Sequence, residues 1–127
     1  MTPFLTPREY YQLHGGRPRK RFGQHFLAQP SIAGRIVASA DLQPSDVVVE
    51  VGPGLGALTQ FVAPQVKKLH LVELDRDLAD ILRDQTKSVS DRVIIHQQDI
   101  LTFALDELSR SEQSRLVVLG NLPYNIT

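Results

Sequence analysis

The chain has 127 residues, 42% of them hydrophobic and 22% charged, a balance that fits one globular unit with its own core and excludes a disordered or fibrous class. It contains no cysteine, which leaves neither a disulfide frame nor a thiolate metal site and makes the cytoplasm the expected compartment. Formal net charge is zero, yet within residues 1–25 Arg8, Arg17, Arg19, Lys20 and Arg21 stand against Glu9 alone, so a basic arm precedes a mildly acidic body.

That arm fits either an electrostatic contact with phosphate or a merely solvated terminus. No apolar run approaches membrane-spanning length. The opening "MTPFLTPREYY" lacks the basic stretch and apolar core of a secretory signal, so none is expected.

Next, "PSIAGRIVASA" predicts a helix with Ser31 as its N-cap and Ile32, Ile36 and Val37 on its buried stripe. Then come four β-branched runs: "DVVVEV" (46–51), "LHLVEL" (69–74), "RVIIHQ" (92–97) and "RLVVLG" (115–120). Runs so apolar, without clean alternation, suit strands covered on both faces, as in a parallel sheet. Between them Leu58, Phe61 and Val62 carry a helical stripe that Pro64 stops; Leu78, Ile81 and Leu82 carry the next; Leu101, Leu105 and Leu108 predict a third. Alternating strand and helix with short connections means right-handed βαβ units and a doubly wound parallel sheet. Ligands of such sheets bind beyond the carboxyl ends of the strands, so the residues standing there matter most.

The first strand runs into "EVGPGLGALT", where Gly52, Gly54 and Gly56 allow a ligand close to the backbone and a following helix start offers free N–H groups. "GPGLGA" also satisfies the dinucleotide fingerprint, so the loop alone does not separate a nicotinamide cofactor from another adenosine-containing one. Glu50, a carboxylate inside an apolar strand, needs a partner: the N–H groups of the loop or the ammonium of a ligand. Glu73 ends the second strand, either to accept ribose hydroxyls or to favour the start of the helix after it. Asp99 ends the third, to accept from the exocyclic amine of a purine with Ile100 against the ring, or to cap a helix. The fourth ends in "NLPY": Asn121 and the Leu122 carbonyl can accept both hydrogens of an exocyclic amine, while Tyr124 stacks on a flipped-out base.

These residues resemble the ribosomal RNA adenine N6-dimethyltransferase family. The likeness runs from "RKRFGQHFL" (19–27) through "VVEVGPGLGALT" (48–59), "LVELDRDL" (71–78) and "QQDIL" (97–101) to "NLPYNIT" (121–127). "RFGQHFL", "GPGLGALT" and "NLPYNIT" look more like the housekeeping small-subunit branch than the antibiotic-resistance branch. The resemblance implies a Rossmann-like, S-adenosylmethionine-dependent methyltransferase fold with strand order 3-2-1-4, and as substrate two adjacent adenosines near the 3′ end of small-subunit ribosomal RNA, each methylated twice.

By the same resemblance, His25 and Leu27 touch the methionine end of the cofactor, Gly52 and Gly54 let that end approach, Glu73 holds the ribose, Asp99 holds the adenine amine, and Asn121 lies between cofactor and target. Asn121, Leu122 and Tyr124 are the catalytic set. His14, His70 and His96 match no motif and read as structural, and no metal site is expected. Residues 1–27 form a basic arm with a cofactor-contacting motif, and 28–127 the N-terminal part of the catalytic domain. Family members continue through further strands and a smaller helical domain, so the chain as given is expected to be inactive and to self-associate through an uncovered fourth-strand edge. The expected partner is small-subunit ribosomal RNA or its precursor particle, without membrane attachment. Two other classes stay open at this point: a nicotinamide-dependent oxidoreductase, although no tyrosine here has a lysine four residues on, and a non-catalytic RNA-binding assembly factor.

Overall fold

The structure, a computed structural model, describes residues 30–120 together with Gln12. The arm of residues 1–27 apart from Gln12, the "NLPYNIT" motif, and with them His25, Leu27, Asn121, Leu122 and Tyr124, lie outside the described residues.

Four strands form one parallel sheet: β1 (Val47–Val51), β2 (Lys68–Val72), β3 (Val93–His96) and β4 (Leu116–Gly120), in the order β3-β2-β1-β4. Each lies inside a run that the sequence marks as a strand. β1 is the inner strand that runs between β2 and β4, and all five of its residues are buried. That explains its unbroken apolar character: with both faces covered, no position gains from being polar.

The helices divide between the two faces. Val48 of β1, Leu69 and Leu71 of β2 and Val93 of β3 pack with Ala33 and Val37 of α1 (Pro30–Ser39), Val62 of α2 (Thr59–Val62) and Leu82 of α3 (Arg76–Gln85). On the other face, Val49, Val51 and Val72 meet Ile100, Phe103, and Leu105 and Leu108 of α4 (Leu105–Glu112). Residues one apart along β1 therefore serve opposite layers, as the strand period requires. Burying each such valine or leucine stabilises the fold by about 1.5–3 kcal/mol before chain entropy is charged against it.

Two helices differ from the expected pattern. α1 begins at Pro30, a residue type suited to the first helical position, so Ser31 lies inside the helix instead of capping it. Its buried stripe is Ala33 and Val37, while Ile32 and Ile36 are 39% and 43% exposed. Gly34 lies beside the Phe61 ring, where an added Cβ would make an ordinary contact at 3.7 Å, and Ala33 and Val37 are the residues that α1 turns to the core. The third helical segment is broken: a 3-10 turn covers Ile100–Thr102, Phe103 and Ala104 depart from helical geometry, and α4 starts at Leu105. Leu101 is consequently 88% exposed and takes no part in the stripe.

At the amino-terminal end of the sheet, Asp46 is buried and receives Arg115 through two contacts, Nε to Oδ1 at 2.9 Å and a terminal nitrogen to Oδ2 at 2.6 Å. The Gln43 amide donates to the same carboxylate at 2.8 Å. The Arg115 guanidinium holds the Asp46 carboxyl below its ordinary range, and the pair ties the entry of β1 to the entry of β4.

Candidate cofactor site at the carboxyl ends of the strands

The strand order brings the ends of β3, β2 and β1 side by side, with Asp99, Glu73 and the glycine loop following them in that sequence. Gly52 leaves β1 with φ 65° and donates to the Val72 carbonyl at 2.9 Å. Gly54 and Gly56 follow at φ 58° and 84°, and Gly56 closes a turn onto the Pro53 carbonyl at 2.8 Å. Any residue with a side chain would be strained at these left-handed positions, which is why the turn is built of glycine. The loop does not run straight into a helix as the sequence led us to expect. Turns fill the space up to Leu58, and α2 is only four residues long.

Glu73 is 6% exposed and has both oxygens engaged: Gly54 N–H donates to Oε1 at 2.9 Å, and Asp75 N–H donates to Oε2 at 2.9 Å. Asp75 in turn caps α3, accepting from Leu78 N–H at 3.0 Å. One carboxylate thus joins the glycine loop to the start of the next helix. Burial pushes its pKa upward, with the backbone donors pulling the other way.

Glu50 is 1% exposed, and among the described residues the N–H groups of the glycine loop are not its partners. Instead the Thr59 hydroxyl donates to its Oε1 at 2.7 Å, from the first residue of α2. Burial, aided by the nearby Glu73 charge, pushes Glu50 up to about 7 against the pull of that hydroxyl. Sequence reasoning missed Thr59. The available signal was that Glu50 shares its strand face with Val48, the face on which α2 packs.

Asp99 is exposed at the end of β3, and its Oδ1 accepts from Leu101 N–H at 2.9 Å, capping the 3-10 turn. The capping alternative is therefore the one observed, and Asp99 stays accessible beyond the sheet. Gly52, Gly54 and Glu73 are brought into one hydrogen-bonded unit, with Asp99 one strand further along.

Chemically, this is an acceptor-rich site. The Glu73 carboxylate already occupies the Gly54 amide that a phosphate would need, so a pyrophosphate would meet an acceptor in place of a nest of donors. Hydroxyls, amines and cations are the ligand groups that such a site accepts.

The family model described as "Ribosomal RNA adenine dimethylase" matches residues 15–127.

The chain belongs to this ribosomal RNA adenine dimethylase family.

Curated relatives include the ribosomal RNA small subunit methyltransferase A of Tolumonas auensis, 49% identical over 113 residues, which are 89% of this chain and 41% of that protein. The protein of the same name from Janthinobacterium sp. is 46% identical over 110 residues, 87% of this chain and 42% of that protein. The chain therefore spans about two fifths of the length of the curated relatives it matches. Among solved structures, a dimethyladenosine transferase from Plasmodium falciparum superposes with a TM-score of 0.65 over 78% of this chain and 34% of that one, at 23% identity, which shows the shared Rossmann-like fold. The 23S rRNA methyltransferase ErmE superposes with a TM-score of 0.54 over 59% of this chain and 30% of that one, at 32% identity.

The face of the sheet opposite Glu50 holds a second polar cluster. His70 Nδ1 and His96 Nε2 lie 2.9 Å apart, one nitrogen donating to the other, with the rings stacked and Phe103 packed edge-on against His96. His70 Nε2 is buried without a hydrogen-bond partner, 4.0 Å from Glu112 Oε1, which accepts from Lys68 Nζ at 3.0 Å. Burial lowers both imidazoles, His70 to about 4. Among the described residues no group of three or more histidines and carboxylates is placed to hold a metal ion, and no helix is long and apolar enough to cross a membrane.

Proposed function

We propose that the protein to which this chain belongs transfers methyl groups from S-adenosylmethionine to the N6 amines of two adjacent adenosines near the 3′ end of small-subunit ribosomal RNA. The observation that carries the reading is the Glu73 carboxylate, buried beside the glycine loop with its oxygens on Gly54 and Asp75, in a chain of the ribosomal RNA adenine dimethylase family. That acceptor stands where a ribose diol can replace or share its backbone donors. Gly52 and Gly54 leave the loop open to close approach, Asp99 is exposed beyond β3 with its Oδ2 to offer an adenine amine, and His25 and Leu27 contribute from the amino-terminal motif. The names of the curated relatives favour small-subunit RNA as the substrate.

Bound at this site, the cofactor supplies an electrophilic methyl group on a sulfonium. The work of the protein is to prepare the nucleophile. The lone pair of an aryl amine is delocalised into its ring, and two acceptors, the Asn121 amide oxygen and the Leu122 carbonyl, draw both hydrogens so that the lone pair localises toward the methyl. Tyr124 stacks on the extruded base and holds its plane. Direct displacement then depends on alignment more than on a general base. Arg17, Arg19, Lys20 and Arg21 suit phosphate contacts, with the RNA presented in a precursor of the small ribosomal subunit in the cytoplasm. Residues 1–27 act as arm and cofactor motif, and 28–127 as the first part of the catalytic domain.

The nicotinamide reading is disfavoured by the same loop, whose Gly54 donor is committed to a carboxylate. Parallel titrations of the full-length protein with S-adenosylmethionine and NAD test the cofactor, and transfer of labelled methyl groups to small-subunit RNA tests the reaction. Tighter binding of NAD overturns the proposal. Methyl transfer that survives Asn121→Ala at full kcat removes Asn121 from the catalytic set.

A further inference from the structure

Two carboxylates, Glu50 within β1 and Glu73 just past the end of β2, are buried close to the glycine loop in the chain or by hydrogen bond. Glu50 lies within β1 and pairs in register with Leu71, two positions before Glu73. Glu73 spends its oxygens on two backbone amides, whereas Glu50 has one neutral donor, the Thr59 hydroxyl. Among the described residues neither forms an ion pair with a lysine, arginine or histidine. The charges acting on them are their own and that of Asp75, and all oppose ionisation. Two like charges buried without a cation are costly, and a shared proton is the ordinary way to avoid them.

We infer that Glu50 carries a proton in the ligand-free protein and releases it to solvent when a cationic ligand group binds, with Thr59 as the positioning residue that aims its carboxyl. The inference rests on reading the site as an S-adenosylmethionine pocket, and the cation is the α-ammonium of that cofactor. Thr59 donates to Oε1, so the proton of the neutral acid belongs on Oε2. When that O–H bond breaks, its electron pair stays on the carboxylate, which the incoming ammonium neutralises. Thr59 also stabilises the ionised form, so it sets the pH at which release occurs. Below the ionisation range, cofactor uptake displaces a proton and its affinity follows pH; above that range it does neither. The structure thus assigns two residues to the cofactor step: Glu50 as the group that binds the cation and Thr59 as its tuner.

The test is isothermal titration calorimetry on the full-length protein with S-adenosylmethionine, in buffers of different ionisation heat. We expect close to one proton released per cofactor bound near pH 6, with affinity rising up to about tenfold per pH unit and levelling above about pH 7. 5′-Methylthioadenosine, which keeps adenine and ribose and lacks the ammonium, should bind without that release. His25, which the family resemblance puts at the same end of the cofactor, is a second ionisable group there, so Glu50→Gln identifies the source: the release should disappear and the pH profile flatten. Thr59→Val should move the profile to higher pH, and Thr59→Ser should restore it. Should Glu50→Gln fail to fold, the two Thr59 variants carry the test alone. Binding of S-adenosylmethionine with no proton release and no pH dependence overturns the inference and leaves the cofactor reading intact. A folded protein that binds none at any pH overturns both.

Discussion

The Gly54 amide donates to Glu73 Oε1 at 2.9 Å across 19 residues of sequence, so the shape of the glycine loop depends on a carboxylate that belongs to the next strand. The loop and the Glu73 carboxylate are therefore one device: moving either moves the other.

Glu73→Ala is accordingly expected to do two things. It leaves the buried amides of Gly54 and Asp75 without acceptors, which should lower unfolding free energy by about 1–3 kcal/mol in a denaturant titration. It also removes a charged acceptor from the cofactor, which should weaken S-adenosylmethionine roughly tenfold or more by calorimetry. Unchanged affinity would take Glu73 out of the site and leave it as a loop fastener only.

The His70–His96 pair gives a pH dependence of definite sign. Both imidazoles are lowered, so between about 6.5 and about 4 the unfolded chain binds more protons than the folded one at His70, and stability must rise with pH across that window. Protonating both rings sets two N–H groups face to face at 2.9 Å, with only Glu112 nearby to compensate and Lys68 opposing. Glu50, raised to about 7, contributes the opposite slope from its ordinary value upward, because there the folded state holds the extra proton. The two windows overlap between about 4.5 and about 6.5, where the slopes oppose, so unfolding midpoints should change little there. His70→Leu should leave the fall with pH and Glu50→Gln should leave the rise. A His70→Leu profile that matches the parent below pH 6 would contradict this assignment.

Much of the fold was legible because β1 and β2 are buried on both faces and their valines and leucines declare it; the right-handed crossover rule and the family resemblance then supplied the order. Gly52, Gly54 and Glu73 were legible as strand-end residues for the same reason, since they directly follow the runs that form β1 and β2. What failed was of two kinds. Ile32 and Leu101 look like stripe residues, but α1 turns Ala33 and Val37 to the core, and the run that Asp99 caps breaks at Phe103 after one tight turn. The second kind is pairing across the chain. Thr59 with Glu50 and His70 with His96 are separated by 9 and 26 residues, and hydrophobic periodicity carries no record of which polar side chains will meet.

For the basic arm the expectation concerns salt. Neutralising Arg17, Arg19, Lys20 and Arg21 in the full-length protein should weaken RNA binding. On single-stranded RNA, the slope of log affinity against log salt should fall by about 0.7 for each phosphate that the arm no longer neutralises. Filter binding across a salt series measures it. An unchanged slope would show that the arm is solvated and that RNA is held elsewhere.

The outer edge of β4 leads to the last expectation. Among the described residues β4 pairs with β1 alone, residue for residue from Leu116 to Gly120, and its other edge has no strand beside it. Val118 is 51% exposed in the middle of that strand, so backbone donors, backbone acceptors and an apolar side chain are offered together. Such an edge is a template for another strand. A polypeptide of residues 1–127 alone should therefore associate with increasing concentration in sedimentation velocity. Val118→Lys, which places a charge on the same strand without touching its pairing to β1, should shift it toward monomer. If residues 1–127 stay monomeric at every concentration, or if Val118→Lys leaves the association unchanged, the contact does not run through β4. The single-sided pairing of that strand would then be compatible with isolation, protected by the twist of the sheet or by its own side chains.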